Sequence, residues 1–231
     1  YTADDPTAYL ASYVGTYRRD EVLAEAMTRN LDAFARFLAA ARFTQASVLS
    51  IAPIARDLGL ARKTVEGYFE LLDDLLLSVR LPVFSRRAKR ALIAHPKFYF
   101  FDAGVFRALR PRGPLDSVEE IDGAALETLV MQELRATNDN LGLGYQLCYW
   151  RTRDAKEVDF VLYGERGLLA FEVKRSSRFR ETDLDVLRLF RSDYPAARCT
   201  LLYGGERDYD LDGITVMPIR RALPRLPALL A

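Results

Sequence analysis

Period-two alternation and short apolar runs mark the C-terminal half of this chain as sheet. Residues 145–151 read as one strand, Lys156–Tyr163 as the next and Leu168–Lys174 as a third. Gly164-Glu165-Arg166-Gly167 between the last two is a tight-turn signal, with glycine where positive φ is needed. A turn symmetric about Glu165 and Arg166 places Asp159 opposite Glu172 and Glu157 opposite Lys174. Downstream, the pattern predicts a helix near 181–192, strands at 199–203 and near 214–218, and a last helix over Arg220–Ala231 interrupted by Pro224 and Pro227.

Upstream of this sheet the apolar spacing is helical. Gly123–Leu134 carries Glu127 on one stripe with Gly123, Val130 and Leu134, where a charge needs a partner. Ile51–Leu58 predicts a short helix ending at Gly59, and Ala61–Leu76 a second, with Val65, Tyr68, Phe69, Leu72 and Leu76 at helical spacing. An apolar run ending in Leu81-Pro82-Val83-Phe84 and the β-like Lys97–Phe101 follow, separated by Ser85-Arg86-Arg87-Ala88-Lys89-Arg90. Helix, glycine turn, helix and a hairpin with a basic tip is a winged-helix pattern. Its candidate nucleic-acid contacts are Arg62, Lys63, Arg86, Arg87, Lys89 and Arg90. Such segments also serve as protein contacts. Asp4–Gln45 reads as two or more helices; Arg18-Arg19-Asp20 within it reads as a surface triplet, and Phe34, Phe37 and Phe43 as core.

The expected organisation is therefore a helical connector at 1–43, a winged-helix-like domain at 44–105, a linker at 106–119 rich in Arg, Pro and Gly, and a mixed α+β, α/β domain at 120–231.

The chemistry concentrates in the hairpin. Two acidic residues opposite each other repel unless a cation sits with them, and a divalent ion with hard oxygen ligands meets that need. A solvated sheet face that tolerates both charges is the plainer alternative. Glu172 and Lys174 close a strand that is otherwise nearly all apolar, where charge is costly without partners.

These elements resemble the PD-(D/E)XK nuclease superfamily, whose restriction-endonuclease-like core runs αβββαβ. Asp159 matches its acidic residue on the second core strand, and Glu172 and Lys174 within Phe171-Glu172-Val173-Lys174 match its Glu-x-Lys. Glu127 matches a helical Glu of many members. The literal Pro-Asp dipeptide is absent, because Val158 precedes Asp159. The resemblance implies that Asp159 and Glu172, with Glu127, hold Mg2+ or Mn2+, that Lys174 assists, and that phosphodiester bonds, in DNA first, are hydrolysed. Arg151, Arg175 and Arg178 near that site could hold flanking phosphates.

A wider resemblance is to the region C-terminal to the P-loop module in a prokaryotic family of AAA+-type ATPases, much of it a domain of unknown function. It rests on Tyr9-Leu10 with Arg19-Asp20, on Pro96-Lys97-Phe98-Tyr99-Phe100-Phe101-Asp102-Ala103-Gly104, and on Tyr149-Trp150-Arg151-Thr152 followed by Glu157-Val158-Asp159-Phe160. The chain carries no Gly-x-x-x-x-Gly-Lys-Ser/Thr motif and starts at Tyr1. The expectation is a piece of a longer protein whose ATP-binding module lies upstream and is its partner.

Composition narrows the remaining classes. Half of the 231 residues are apolar and the net charge is +1, so nucleic-acid binding must use a local patch. Cys148 and Cys199 fall in apolar runs and are expected as buried free thiols. No membrane-length apolar run or secretory signal is visible, and a cytoplasmic location is expected. With His95 the only histidine, triad and zinc chemistry lack their residues. Three functional readings remain: a metal-dependent nuclease attached to an ATPase, a nuclease-fold platform that binds without cutting, and a winged-helix regulator.

Overall fold

Among the described residues the chain folds as a mixed α+β protein with two sheets, one three-stranded and one six-stranded. The computed structural model describes residues 30–110, 113–114 and 116–231. The landmarks Tyr9-Leu10 and Arg18-Arg19-Asp20, and most of the 1–43 connector, lie outside the described residues. Contacts divide the described residues into a first unit, from 30–80 and 98–128, and a second, 81–97 and 129–231.

In the first unit, α1 (Leu31–Ala41) starts at Asn30, whose side chain accepts the Ala33 N–H at 2.9 Å. Strand β1 (Ser47–Val48) leads to α2 (Ile51–Leu58), which ends at Gly59 with φ 63°, the left-handed conformation that a glycine takes at no steric cost. Helix α3 (Arg62–Asp74) follows, then β2 (Ser78–Leu81), β3 (Lys97–Phe100) and α4 (Ala103–Leu109). The sheet order is β1-β3-β2. Phe37 and Phe69 meet edge to face at 4.8 Å, and Phe69 meets Phe98 at 5.1 Å, at the centre of this core. The buried Gln45 amide is satisfied by Thr128 Oγ1 at 2.6 Å and by the Phe100 N–H at 2.8 Å. Phe43 departs from its expected core place. It is 55% exposed, and the Arg110 guanidinium lies 4.1 Å from its ring centre.

Helix α5 (Val118–Asn140) is longer than its predicted segment. The second unit contains β4 (Gln146–Arg151), β5 (Glu157–Gly164), β6 (Gly167–Lys174), α6 (Asp185–Asp193), β7 (Arg198–Tyr203), β8 (Tyr209–Leu211), β9 (Ile214–Pro218) and α7 (Ile219–Leu230). Its sheet order is β4-β5-β6-β7-β9-β8, with β6, β7 and β9 mutually parallel. Leu187 and Phe190 of α6 pack with Trp150, Val161, Ala170 and Leu201. Cys148 and Cys199 are buried free thiols, as expected. The prolines do not interrupt the last helix: Pro224 and Pro227 both lie inside α7, each removing one N–H from its ladder.

The expected hairpin tip lies along β4. In the 82–96 connection, the Phe84 N–H donates to Tyr149 O at 2.7 Å, and the Tyr149 N–H to Pro82 O at 3.0 Å. Ile93 N–H reaches Arg151 O at 3.3 Å, and Arg153 N–H reaches Ala91 O at 3.1 Å. The basic run between these staples is exposed. Among the described residues no helix is long and apolar enough to cross a membrane.

Candidate functional site

Around the turn the predicted hairpin register is the observed one: Gly164 pairs with Gly167 and Phe160 with Phe171. The regular pairing stops one step before Asp159. Against β4, Cys148 pairs with Val161 but Trp150 pairs with Val158. Asp159 and Phe160 together therefore stand opposite Tyr149, which is one extra residue on β5. Such a bulge re-aims side chains and bends the strand. It also brings Arg151 opposite Glu157, where their side chains form an ion pair.

Asp159 is buried and uses its two oxygens differently. Oδ2 accepts the Val173 N–H at 2.9 Å, and Oδ1 lies 3.4 Å from Lys97 Nζ. Lys97 is 1% exposed, and its Nζ is 2.6 Å from Glu157 Oε1. On β6, Glu172 is buried, and its Oε1 lies 2.7 Å from Lys174 Nζ. The expected Glu157–Lys174 pair across the hairpin is replaced by Glu157 with Lys97 and Arg151, and Lys174 with Glu172. The bulge and the nearby Lys97 explain the change.

The electrostatics follow these partners. Burial pushes the Glu157 carboxyl up, but the charge and hydrogen bond of Lys97, with Arg151, outweigh it and hold it below its ordinary value. For Lys174, burial works to lower the ammonium. The Glu172 charge and hydrogen bond, helped by Asp159, win and raise it.

A close backbone approach fixes the segment after Lys174. Gly204 N–H donates to Ser176 O at 3.0 Å, and a Cβ at Gly204 would lie 2.2 Å from Arg175 O. Only glycine lets the end of β7 sit so close to residues 175–177.

Each of the other predicted residues has its own surroundings. Glu127 lies in the first unit, where its carboxylate accepts the Tyr99 hydroxyl, so the charge on that helix stripe has a partner. Arg62 pairs with Glu66 at 2.8 Å, and Lys63 is exposed beside it. Arg90 is held by Asp193 at 2.7 Å, Lys89 Nζ is 3.4 Å from Ser192 O, and Arg86 lies 4.8 Å from the Tyr163 ring centre. Arg87, Arg175 and Arg178 are exposed.

Among the described residues no group of three or more His, Cys, Asp or Glu is arranged to hold a metal ion. Asp159 and Glu172 still offer hard oxygen donors. Two carboxylates are enough for Mg2+, which keeps several waters and takes its remaining ligands from a substrate phosphate. In donor type, these two carboxylates suit that class of ion.

Residues 1–116 of the 231 match the family described as domain of unknown function DUF8612. The chain belongs to the DUF8612 family. Residues 122–222, which hold every side chain of the hairpin site except Lys97, match domain of unknown function DUF4143. This DUF8612 chain is 30% identical over 184 residues to the uncharacterized protein Rv2008c of Mycobacterium tuberculosis and, equally, to Mb2031c of Mycobacterium bovis. The alignment covers 76% of the chain and 39% of either relative, so the DUF8612 chain spans about two fifths of their length. The crystal structure of protein VC1899 from Vibrio cholerae is similar at 14% identity and a TM-score of 0.35, over 100% of this chain and 56% of that one. At that level the likeness carries no functional information.

Proposed function

We propose that the second unit carries a metal-dependent phosphodiesterase site of the PD-(D/E)XK kind, acting on DNA. The observation that supports it is the meeting of two buried carboxylates, Asp159 and Glu172, with the Lys174 ammonium at one end of a hairpin. The order of β4, β5, β6, α6 and β7 is consistent with the same core. Asp159 and Glu172 would hold Mg2+ or Mn2+. When bound, the ion would acidify a water and offset phosphate charge. Lys174 stays charged beside Glu172 and is suited to stabilise negative charge growing on phosphoryl oxygens. The exposed Arg175 and Arg178 follow directly and suit flanking phosphates.

The first unit is read as a winged helix. In support, α1, β1, α2, α3, β2 and β3 follow in that order, with β3 between β1 and β2. Arg62 and Lys63 open α3, where a recognition helix meets DNA. In the parent protein, an upstream ATPase module, cytoplasmic and using ATP, completes the proposal.

One observation favours the second reading, a platform that binds without cutting. Glu157, Asp159 and Glu172 already face Lys97, Arg151 and Lys174. Cleavage assays decide between them. Single-stranded, duplex and branched DNA and RNA are incubated with Mg2+ or Mn2+ and wild type, Asp159→Ala or Lys174→Ala. Cleavage lost in both variants supports the nuclease. DNA retarded on a gel but uncut supports the platform. Cleavage surviving in the variants counts against the site.

A further inference from the structure

We propose that Lys97 is the resident counter-ion of this site, and that a divalent ion binds Asp159 by displacing it. The inference rests on the metal reading above and adds a residue that this reading does not use.

Three observations carry it. Lys97 is 1% exposed, so its ammonium has left water and needs compensation from protein. That compensation is unequal: Nζ is anchored on Glu157 Oε1 at 2.6 Å and only shared with Asp159 Oδ1 at 3.4 Å. Asp159 Oδ2 is committed to the Val173 N–H at 2.9 Å. Oδ1 is therefore the oxygen that Asp159 can hand to a different cation while its side chain stays fixed.

Charge gives the sign. The three carboxylates Glu157, Asp159 and Glu172 are matched by Lys97, Arg151 and Lys174. A divalent ion at Asp159 and Glu172 enters a cluster that already holds cations and is repelled by Lys97 beside Asp159 and by Lys174 beside Glu172. Removing the Lys97 charge favours the ion. Replacing Glu157 removes a neighbouring negative charge, leaves Asp159 as the carboxylate beside Lys97 in this pairing, and disfavours the ion. The two changes act in opposite directions, whereas a Lys97 whose charge does not act on the site would leave binding unchanged when replaced by methionine.

The test is Mn2+ binding to the chain, read from the paramagnetic resonance of free Mn2+ and from the Mn2+-induced rise in Tm. Lys97→Met is expected to tighten binding about tenfold or more, and Glu157→Gln to weaken it. Asp159→Asn abolishes binding at the site and serves as the control. Wild-type binding that is lost in Asp159→Asn but unchanged in Lys97→Met and Glu157→Gln overturns this proposal and leaves the metal site standing. No binding in wild type or Lys97→Met overturns both. Binding in Lys97→Met alone establishes displacement in its strongest form. If Lys97→Met does not fold, Glu157→Gln decides: unchanged or tighter binding refutes the idea.

Discussion

Arg151 faces Glu157 because Asp159 and Phe160 share one position opposite Tyr149. A regular ladder would bring Val158 to Arg151 and turn Glu157 away. One extra residue on β5 thus assembles the ion pair and re-aims the aspartate beside it.

Glu157 makes stability depend on acid. Its pKa is lowered in the folded state, so its contribution is present above the ordinary glutamate range and is lost as pH falls through the folded value. Glu157→Gln should cost about 3 kcal/mol at neutral pH, because Lys97 loses its nearer carboxylate. Urea unfolding of both proteins at pH 7 and pH 4 checks this. The gap should narrow at the lower pH; a gap that stays constant would count against the assignment.

Alkaline pH should act through different groups. Burial raises the Cys148 and Cys199 thiols to about 11, and burial with the Glu157 charge raises Tyr149 to about 12. Lys174 is raised as well. Stability from raised groups is complete below their unfolded values and is lost as pH climbs through the folded ones. The unfolding free energy should fall from about pH 9 upward. Ellman's reagent at pH 8 should find neither thiol in the folded protein and both in urea. Rapid labelling without denaturant would contradict the burial.

Glycine substitutions should split by surroundings. Gly204→Ala puts a methyl group against the Arg175 carbonyl and should cost about 3 kcal/mol, with the segment after Lys174 displaced. Gly67→Ala, on an open face of α3, should stabilise by about 1 kcal/mol. Thermal melts of the two variants test both signs, and equal effects would refute the packing argument.

The basic loop divides in the same way. The Asp193 side chain is only 5% exposed and holds Arg90, so Arg90→Ala should cost about 3 kcal/mol. Arg87 is exposed with φ 49°, and Arg87→Ala should leave stability within about 0.5 kcal/mol while weakening DNA retention and its salt dependence. Denaturation together with gel retardation at two salt concentrations separates the two roles. Loss of retention in neither variant would remove this loop from the DNA reading.

Several of these relationships were legible in the residues. The hairpin register follows from Gly164-Glu165-Arg166-Gly167, since a short turn leaves little choice of pairing. The order of β4, β5, β6, α6, β7 and β9 follows from apolar runs of contrasting period. Strand β8 escaped because Tyr209-Asp210-Leu211 is too short and polar to show a period. The bulge escaped because alternation along β5 carries no record of what β4 places opposite. Lys97 lies 60 positions from Glu157, beyond any local pattern. Yet the rule that flagged Glu172, a charge closing an apolar strand, applies equally to a lysine before Phe98-Tyr99-Phe100-Phe101.

The backbone bonds between residues 82–93 and β4 also bear on how the protein behaves in a crowded solution. An outer strand with open N–H and C=O groups is a template for a second chain. Here Tyr149 is bonded to Pro82 and Phe84 at one end, and Arg151 and Arg153 to Ile93 and Ala91 at the other, with three arginines and one lysine between. The 82–93 segment is thereby a guard against self-association. A nick or deletion within it would uncover Tyr149 and Arg151 and turn β4 into a seed for aggregates, whatever the site behind it does.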